Sequence, residues 1–382
     1  MALKGTNQEL GRPFNRRIVL EAIRLQGPIA RNDIARRVGL TVQTVSTIVR
    51  ELEDDGFILS TRERPKGRGV PPTSLEINPV GGFAIGVQIN PLAIQAALIN
   101  LSGTVIAQME QAVERVTPDA AFDIVASLVA ALKADQPDRR ILGVGLALPG
   151  PFGVESMSFV GPTTLAGWQG VDIRNRLEAV TDLPVFLETD MAAAALGEQL
   201  YGYGTELKEY YFLFFGVGLG GAMVHDGAVL RGNWGNAGEL GHITAVPDGE
   251  LCPCGNRGCL ERYVSLDALL RRGIPELDWV REITPIFARA IRTIENLFDP
   301  QAVVLGGLAS ESVLAGLAAA AEQLGNSIAT RKDRTVPRII VARGGNSVLR
   351  GAAALAVHGA LSPHGGQMFA DTPTDSQEEV MG

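Results

Sequence analysis

The spacing of apolar residues changes along this chain, and the changes divide it. Over residues 15–26, Ile18, Val19, Ala22, Ile23 and Leu25 fall largely on one helical face, and Gly27-Pro28 ends that helix. The window from Arg31 to Arg50 then carries a helix-turn-helix pattern. Ile34, Val38, Leu40, Val45 and Ile48 point inward, Ala35 is small where two helices must approach, and Gly39 sits at the turn. Thr41 is the N-cap of the second helix, its hydroxyl able to take an orphan amide. The exposed face of that helix presents Gln43, Thr44, Ser46, Thr47 and Arg50, which can reach base edges or phosphates from a major groove. Beyond Gly56, Phe57–Ser60 and Ser74–Ile77 read as paired strands, and the tip between them, Arg62 to Gly69 with Arg68 in it, reads as a basic wing. This winged helix-turn-helix is expected to close on a small core of its own.

Pro71-Pro72 and Asn78-Pro79 mark a stiff junction, and from Gly82 the texture becomes short apolar strands between glycine turns. Residues 83–89, 94–101 and 104–109 predict a three-strand meander, followed by a helix over 118–134 and a buried strand over 141–147. A similar set returns later: strands at 210–215 and 221–225, helices at 264–272 and 279–298, and a strand at 302–305. Two α/β halves of like order suggest two lobes around a cleft. Residues 362–382, rich in Ser, Pro, Gly, Asp and Glu, read as a disordered tail.

Composition adds partners to this outline. At 382 residues, 46% hydrophobic and 20% charged, the chain is expected to be a soluble protein of two or three domains. No apolar run is long enough to span a bilayer, and residues 1–17 lack an apolar signal core, so a cytoplasmic location without membrane contact is expected. Residues 1–70 hold 13 Lys+Arg against 8 Asp+Glu, whereas the rest holds 21 against 34. A basic head (+5) on an acidic body (−13) sums to the total of −8 and is the charge signature of a head that meets a polyanion, here double-stranded DNA.

All three cysteines lie in Cys252-Pro253-Cys254-Gly255-Asn256-Arg257-Gly258-Cys259, ten residues after His242. Three thiolates and an imidazole at this spacing suit one closed tetrahedral Zn²⁺ site per chain, with ligands His242, Cys252, Cys254 and Cys259. A disulfide with one spare thiol is the alternative, and a reducing cytosol disfavours it. Glu239 and Glu261 flank the cluster, so a metal here would also fix polar groups able to recognise a small ligand.

At these residues the chain resembles the ROK family (repressors, open reading frames, kinases). Gly238-Glu239-Leu240-Gly241-His242 and the cysteine run through Leu260-Glu261 resemble its zinc signature, and Leu187-Glu188-Thr189-Asp190-Met191 its catalytic-aspartate segment. Gly216-Val217-Gly218-Leu219-Gly220-Gly221 resembles its second phosphate loop, Val304-Leu305-Gly306-Gly307 its adenosine-side turn, and Leu165-Ala166-Gly167-Trp168 a sugar-side loop. The resemblance covers about residues 14–361 and implies an actin-like, ribonuclease-H-like body of two lobes behind the winged helix of the repressor branch. On this pattern the head is residues 1–77, the first lobe 78–190 plus 346–361, and the second lobe 191–345 with the zinc site and a dimer interface.

The family's sugar kinases carry a first phosphate loop resembling Asp-x-Gly-Gly-Thr. Here the matching positions read Gln88-Ile89-Asn90-Pro91-Leu92: the carboxylate has become an amide, and Pro91 has no amide hydrogen. Val217 replaces a hydroxyl in the second loop. Phosphoryl transfer rests on positioning and charge neutralisation, so no ATP binding and no enzymatic activity are expected. The sugar side survives. Asp190 resembles the residue that takes a proton from the attacked hydroxyl, and Glu239, His242 and Glu261 complete an acceptor-rich pocket suited to a neutral sugar. Thr189 and Thr164 stand where the kinases often place asparagines, so a hexose is not implied over a pentose, amino sugar or polyol. The expected function is a sugar-responsive repressor, acting as a homodimer or dimer of dimers on a pseudo-palindromic operator. A kinase with an appended head and a constitutive DNA binder are the alternatives.

Overall fold

The computed structural model describes residues 11–62, 73–134, 138–150, 165, 167–168, 170–233, 235–320 and 325–361. Its first element, α1 (Arg12–Gln26), starts with a proline in its first turn, where a missing amide hydrogen is harmless. A two-residue strand, β1 (Ile29–Ala30), leads into α2 (Arg31–Val38) and α3 (Val42–Asp54). Gly39 takes the left-handed conformation (φ 68°) that ends α2, and the Thr41 hydroxyl accepts from Thr44 N at 3.1 Å to cap α3. Strands β2 (Ile58–Arg62) and β3 (Thr73–Ile77) complete a three-stranded sheet of order β1-β3-β2. The predicted inward residues Ile34, Val38, Leu40, Val45 and Ile48 are all buried. The wing tip with Arg68, Thr164 of the sugar-side loop, and residues 362–382 lie outside the described residues.

The body contains the same sheet twice. The first has β4 (Phe83–Ile89), β5 (Ala93–Asn100), β6 (Val105–Ala112), β7 (Ile141–Leu148) and β8 (Val185–Thr189) in the order β6-β5-β4-β7-β8. The second has β9 (Tyr210–Phe215), β10 (Leu219–His225), β11 (Ala228–Val229), β12 (Ala302–Gly307) and β13 (Ile339–Val341) in the order β11-β10-β9-β12-β13. In each, three strands form an antiparallel meander and two more add in parallel to its first strand. This duplication is the two-lobed, actin-like arrangement. Helices α4 (Pro118–Ala134) and α5 (Ile173–Thr181) accompany the first sheet; α7 (Leu266–Arg272), α8 (Glu276–Phe298) and α9 (Glu311–Ala319) accompany the second.

Two further helices lie between the lobes, α6 (Asp190–Tyr201) and α10 (Ser347–Leu361). Their alanines share one buried cluster with Phe212, Phe214 and Val304 of the second sheet, while α10 also lies on β4 and β7 of the first. They meet backbone to backbone. A Cβ on Gly197 would fall 2.0 Å from Ser347 O, and one on Gly351 would fall 1.7 Å from Ala193 O. One expectation needs correcting here: the head does not keep a core to itself. Val19, Ile23, Val49 and Leu52 belong to one continuous apolar cluster with Ala84, Ile99, Leu142, Ala353 and Val357 of the first lobe. The reason is α1, whose apolar face is broad enough to serve α2 and α3 on one side and α10 on the other.

Candidate functional site

The cysteine segment folds as a compact knot. Bridges pair Thr244 with Cys259 and Leu251 with Arg257, and Cys252 N donates to Asn256 O at 2.8 Å. Gly258 (φ 71°) is required by this closure, since a Cβ there would fall 1.6 Å from Val246 O. The four predicted donors converge: one atom each from His242, Cys252, Cys254 and Cys259 lies within 4.8 Å of the others. Cys254 Sγ is 3.6 Å from Cys259 Sγ, and Cys252 Sγ is 3.7 Å from His242 Nδ1. Tetrahedral zinc with Zn–S bonds of about 2.3 Å needs sulfurs about 3.8 Å apart, so the donor set fits such an ion. Burial pushes the Cys252 and Cys259 thiols up, a cost that a bound cation would reverse by stabilising thiolates.

The same histidine faces the candidate sugar carboxylates. Its Nδ1 is turned to Cys252 and lies 3.9 Å from Glu261, while its Nε2 lies 3.9 Å from Glu239. The two ring nitrogens thereby face different partners, the thiol cluster and the more open carboxylate. Glu261 is only 5% exposed and accepts from Cys252 Sγ at 3.5 Å, so its carboxylate is packed against the thiol cluster. Glu239 is more open; burial raises its pKa, with Glu261 adding to the effect and His242 opposing it.

Asp190 reaches this region from the other lobe. It is the first residue of α6, capped by Thr189, whose hydroxyl accepts from Ala192 N at 3.2 Å. The threonine found in place of asparagine therefore still performs the capping role. Gly150, at the end of β7, marks how closely the two lobes converge: a Cβ there would lie 3.1 Å from Thr189 Cγ2 and 3.9 Å from Glu239 Oε1. Burial lifts the Asp190 pKa to about 7, aided by Glu239 and opposed by the Met191 amide. A helix N-terminus favours a carboxylate, and here desolvation outweighs it. Because the folded chain holds this proton above the ordinary carboxyl value of 3.8, the Asp190 contribution to stability falls as pH rises from about 4 to about 7. Asp190→Asn should flatten that part of the melting-temperature profile. Identical profiles for the two proteins would refute the assigned burial of this carboxyl.

Sequence reasoning missed the ion pair beside this site. Glu188, 1% exposed, accepts from Thr189 N through Oε1 and from Arg231 Nε (3.0 Å) and Nη2 (2.7 Å) through Oε2. It ties β8 of the first lobe to the segment that follows β11 and runs on to Glu239. The partners are 43 positions apart, so only the fold joins them. Trp168, from the sugar-side loop, packs edge-on against Phe122 and donates to Val116 O, which anchors that loop to α4.

The phosphate-side turn is closed on itself. Asn90 Oδ1 accepts from Leu92 N at 2.9 Å and Ala93 N at 3.0 Å, and Asn90 N donates to Ala93 O. With Pro91 lacking an amide hydrogen, the donors of this turn are already engaged. In the second glycine loop, a Cβ on Gly220 would fall 1.8 Å from Met191 Sδ, so packing against α6 is sufficient reason for that glycine.

On α3, Gln43, Thr47 and Arg50 are exposed and Thr44 and Ser46 half-buried, all on the outer face. Ser46 donates to Val42 O and Thr47 to Gln43 O within the helix, leaving their lone pairs outward. The side chains of Gln43 and Arg50 make no bond to a described residue.

Comparison with known proteins accords with this division. Residues 15–58 match the winged helix-turn-helix DNA-binding family, and residues 84–278 match the ROK family. A xylose repressor of Caldicellulosiruptor bescii is 30% identical over 344 residues, covering 80% of this chain and 85% of its own. That of Bacillus subtilis is 26% identical over 328 residues with the same coverage. A ROK family transcriptional regulator described as a homolog of the E. coli MLC protein superposes with a TM-score of 0.70 at 24% identity, over 92% of this chain and 98% of its own. The ROK family glucokinase of Streptomyces griseus, solved with glucose and AMPPNP, gives 0.62 at 27% identity, over 73% of this chain and all (100%) of its own. No helix among the described residues is long and apolar enough to cross a membrane. Duplicated sheet, cysteine knot and sequence match agree: this chain belongs to the ROK family, with a winged helix-turn-helix at its N-terminal end.

Proposed function

We propose that this protein is a DNA-binding repressor released by a small neutral sugar, held between Asp190 on the first lobe and Glu239 and His242 on the second, with Glu261 behind them. The observation that carries this is an asymmetry in the cleft. Carboxylates from both lobes converge where a sugar hydroxyl would be recognised, while the turn at Asn90-Pro91 has used its own amides. The likeness to two xylose repressors supports the same reading and makes D-xylose the first effector to try. In this account Asp190 and Glu239 accept hydrogen bonds from hydroxyls and His242 donates from Nε2. Glu188 and Arg231 hold the two sides of the cleft in register. Zinc, when bound, supplies a fixed positive centre that locks residues 252–259 and the His242 ring. We take the head as residues 1–77 and the lobes as 78–190 plus 346–361 and 191–345, with the second lobe forming a homodimer. Gln43, Thr44, Ser46, Thr47 and Arg50 face the groove, with Arg68 on the wing. The test is direct: select the operator from random DNA, then titrate the complex with D-xylose and D-glucose. Sugar-dependent ATP turnover that vanishes in Asp190→Asn, rather than sugar-triggered release, would favour a kinase instead.

The head gives its own prediction. Arg50→Ala should weaken operator binding about tenfold and reduce the slope of log K against log salt by about 0.9, the loss expected for one phosphate contact. Unchanged affinity and slope would remove Arg50 from the DNA face.

A further inference from the structure

If the cleft senses sugar, something must carry that state to the head, and α6 has one end at each. It begins at Asp190, runs for 12 residues (about 18 Å) and ends at Tyr201. Residues 190–200 are all buried. At Gly197 and Gly351 the two backbones touch directly, and Leu196 and Leu200 of α6 interlock with Ala354 and Leu355 of α10, so displacement of one helix carries the other.

Both helices then touch α1 of the head, through charged groups withdrawn from water. The Arg24 guanidinium sits 5.4 Å from the Tyr201 ring centroid, and its three nitrogens are buried without a hydrogen-bond partner among the described residues. The ring is backed by the β5–β6 turn, where a Cβ on Gly103 (φ 82°) would fall 2.1 Å from it. Further along, His358 Nε2 of α10 lies 3.1 Å from Glu21 Oε1, with Arg17 Nε at 3.8 Å from the same oxygen. Arg17, Glu21 and Arg24 are spaced i, i+4, i+7 and form one stripe of α1. Apolar residues would join two parts of a fold at lower desolvation cost. A charged seam set beside the apolar contact of α1 with α10 is the kind of joint that small displacements reset.

We propose that α6 and α10 move as one body, and that Arg24 on Tyr201, with Glu21 beside His358, are the points through which this body sets the attitude of the DNA head. The proposal rests on the effector reading of the Asp190 region. A change in the cleft at Asp190 tilts the pair, the Tyr201 ring shifts under Arg24, and the two recognition helices of a dimer lose their spacing for the operator. An effector acts only through its different affinity for the two states, and these contacts are where the states would differ at the head.

The full-length protein tests this with Tyr201→Leu, Tyr201→Phe and Arg24→Met. D-xylose and D-glucose are the probes, read by calorimetry for sugar affinity and by anisotropy on the selected operator. The wild-type protein should lose operator affinity at least about tenfold on sugar binding, within the usual range of allosteric couplings. Tyr201→Leu and Arg24→Met should bind sugar and operator each within about threefold of wild type, yet release by less than about twofold. Tyr201→Phe, which keeps the ring face for the cation, should release normally. If wild type and both disrupting variants release by equal factors, the coupling assignment is wrong while the effector site stands. If neither sugar releases the wild-type protein, the effector reading fails and takes this proposal with it. Should Tyr201→Leu fold poorly, Arg24→Met, which retains the arginine stem length at the seam, decides the matter alone.

Discussion

Cys254→Ser is expected to lower the melting temperature by about 4 °C and to empty the candidate metal site, measured as zinc per chain by mass spectrometry. The size follows from the knot. The segment closes with Gly258 pressed on Val246 O, and Cys254 supplies a quarter of the candidate donor set. Loss of a metal belongs to the few single changes that cost about 3 kcal/mol or more, and at 382 residues each kcal/mol moves the midpoint by about 1.2 °C. The damage should be selective. The head shares its core with the first lobe, whereas the knot belongs to the second, so operator binding should persist at low temperature while sugar-triggered release is lost. Zinc-free wild-type protein that melts at the same temperature as zinc-loaded wild type would end the structural-zinc assignment.

Asp190→Ala should abolish release by sugar while leaving operator occupancy intact. A hydrogen bond to a charged partner in a buried site contributes about 1.5–3 kcal/mol, which is about 10- to 150-fold in sugar affinity. The alanine also removes the Asp190–Glu239 repulsion that helps raise the Asp190 pKa, so the variant should be no less stable than wild type near neutral pH. Loss of function with equal or higher melting temperature separates a sensing role from a structural one. Normal release by Asp190→Ala would show that the sensor lies elsewhere.

How much of this was legible in sequence depended on whether an element kept one wet face. Helix α3 did: Val45, Ile48, Val49 and Leu52 are buried at helical spacing, so its register and outer face could be read directly. The convergent donor cluster was legible because cysteine is rare here and the four candidate donors lie within 18 consecutive residues. Helices α6 and α10 were not recognised as helices. Their runs of alanine and glycine are buried nearly all round, which erases the 3.6-residue period that betrays a helix on a surface. Strands β1 and β13, two and three residues long, carry too few positions for any period. The Glu188–Arg231 pair and the Glu21–His358 pair each join distant parts of the chain, and nothing local in the sequence marks either.

The core shared by head and first lobe also bears on how such proteins diversify. A DNA-binding module tethered by a loose linker can be exchanged between relatives as a cassette. Here Val19 and Ile23 of α1 lie in the same apolar cluster as Ala353 and Val357 of α10. A foreign head would bring its own recognition helix but would have to fit this floor, side chain by side chain. On the proposed reading, operator specificity is free to drift on the outer face of α3, while α1 is bound to evolve in step with the lobe beneath it.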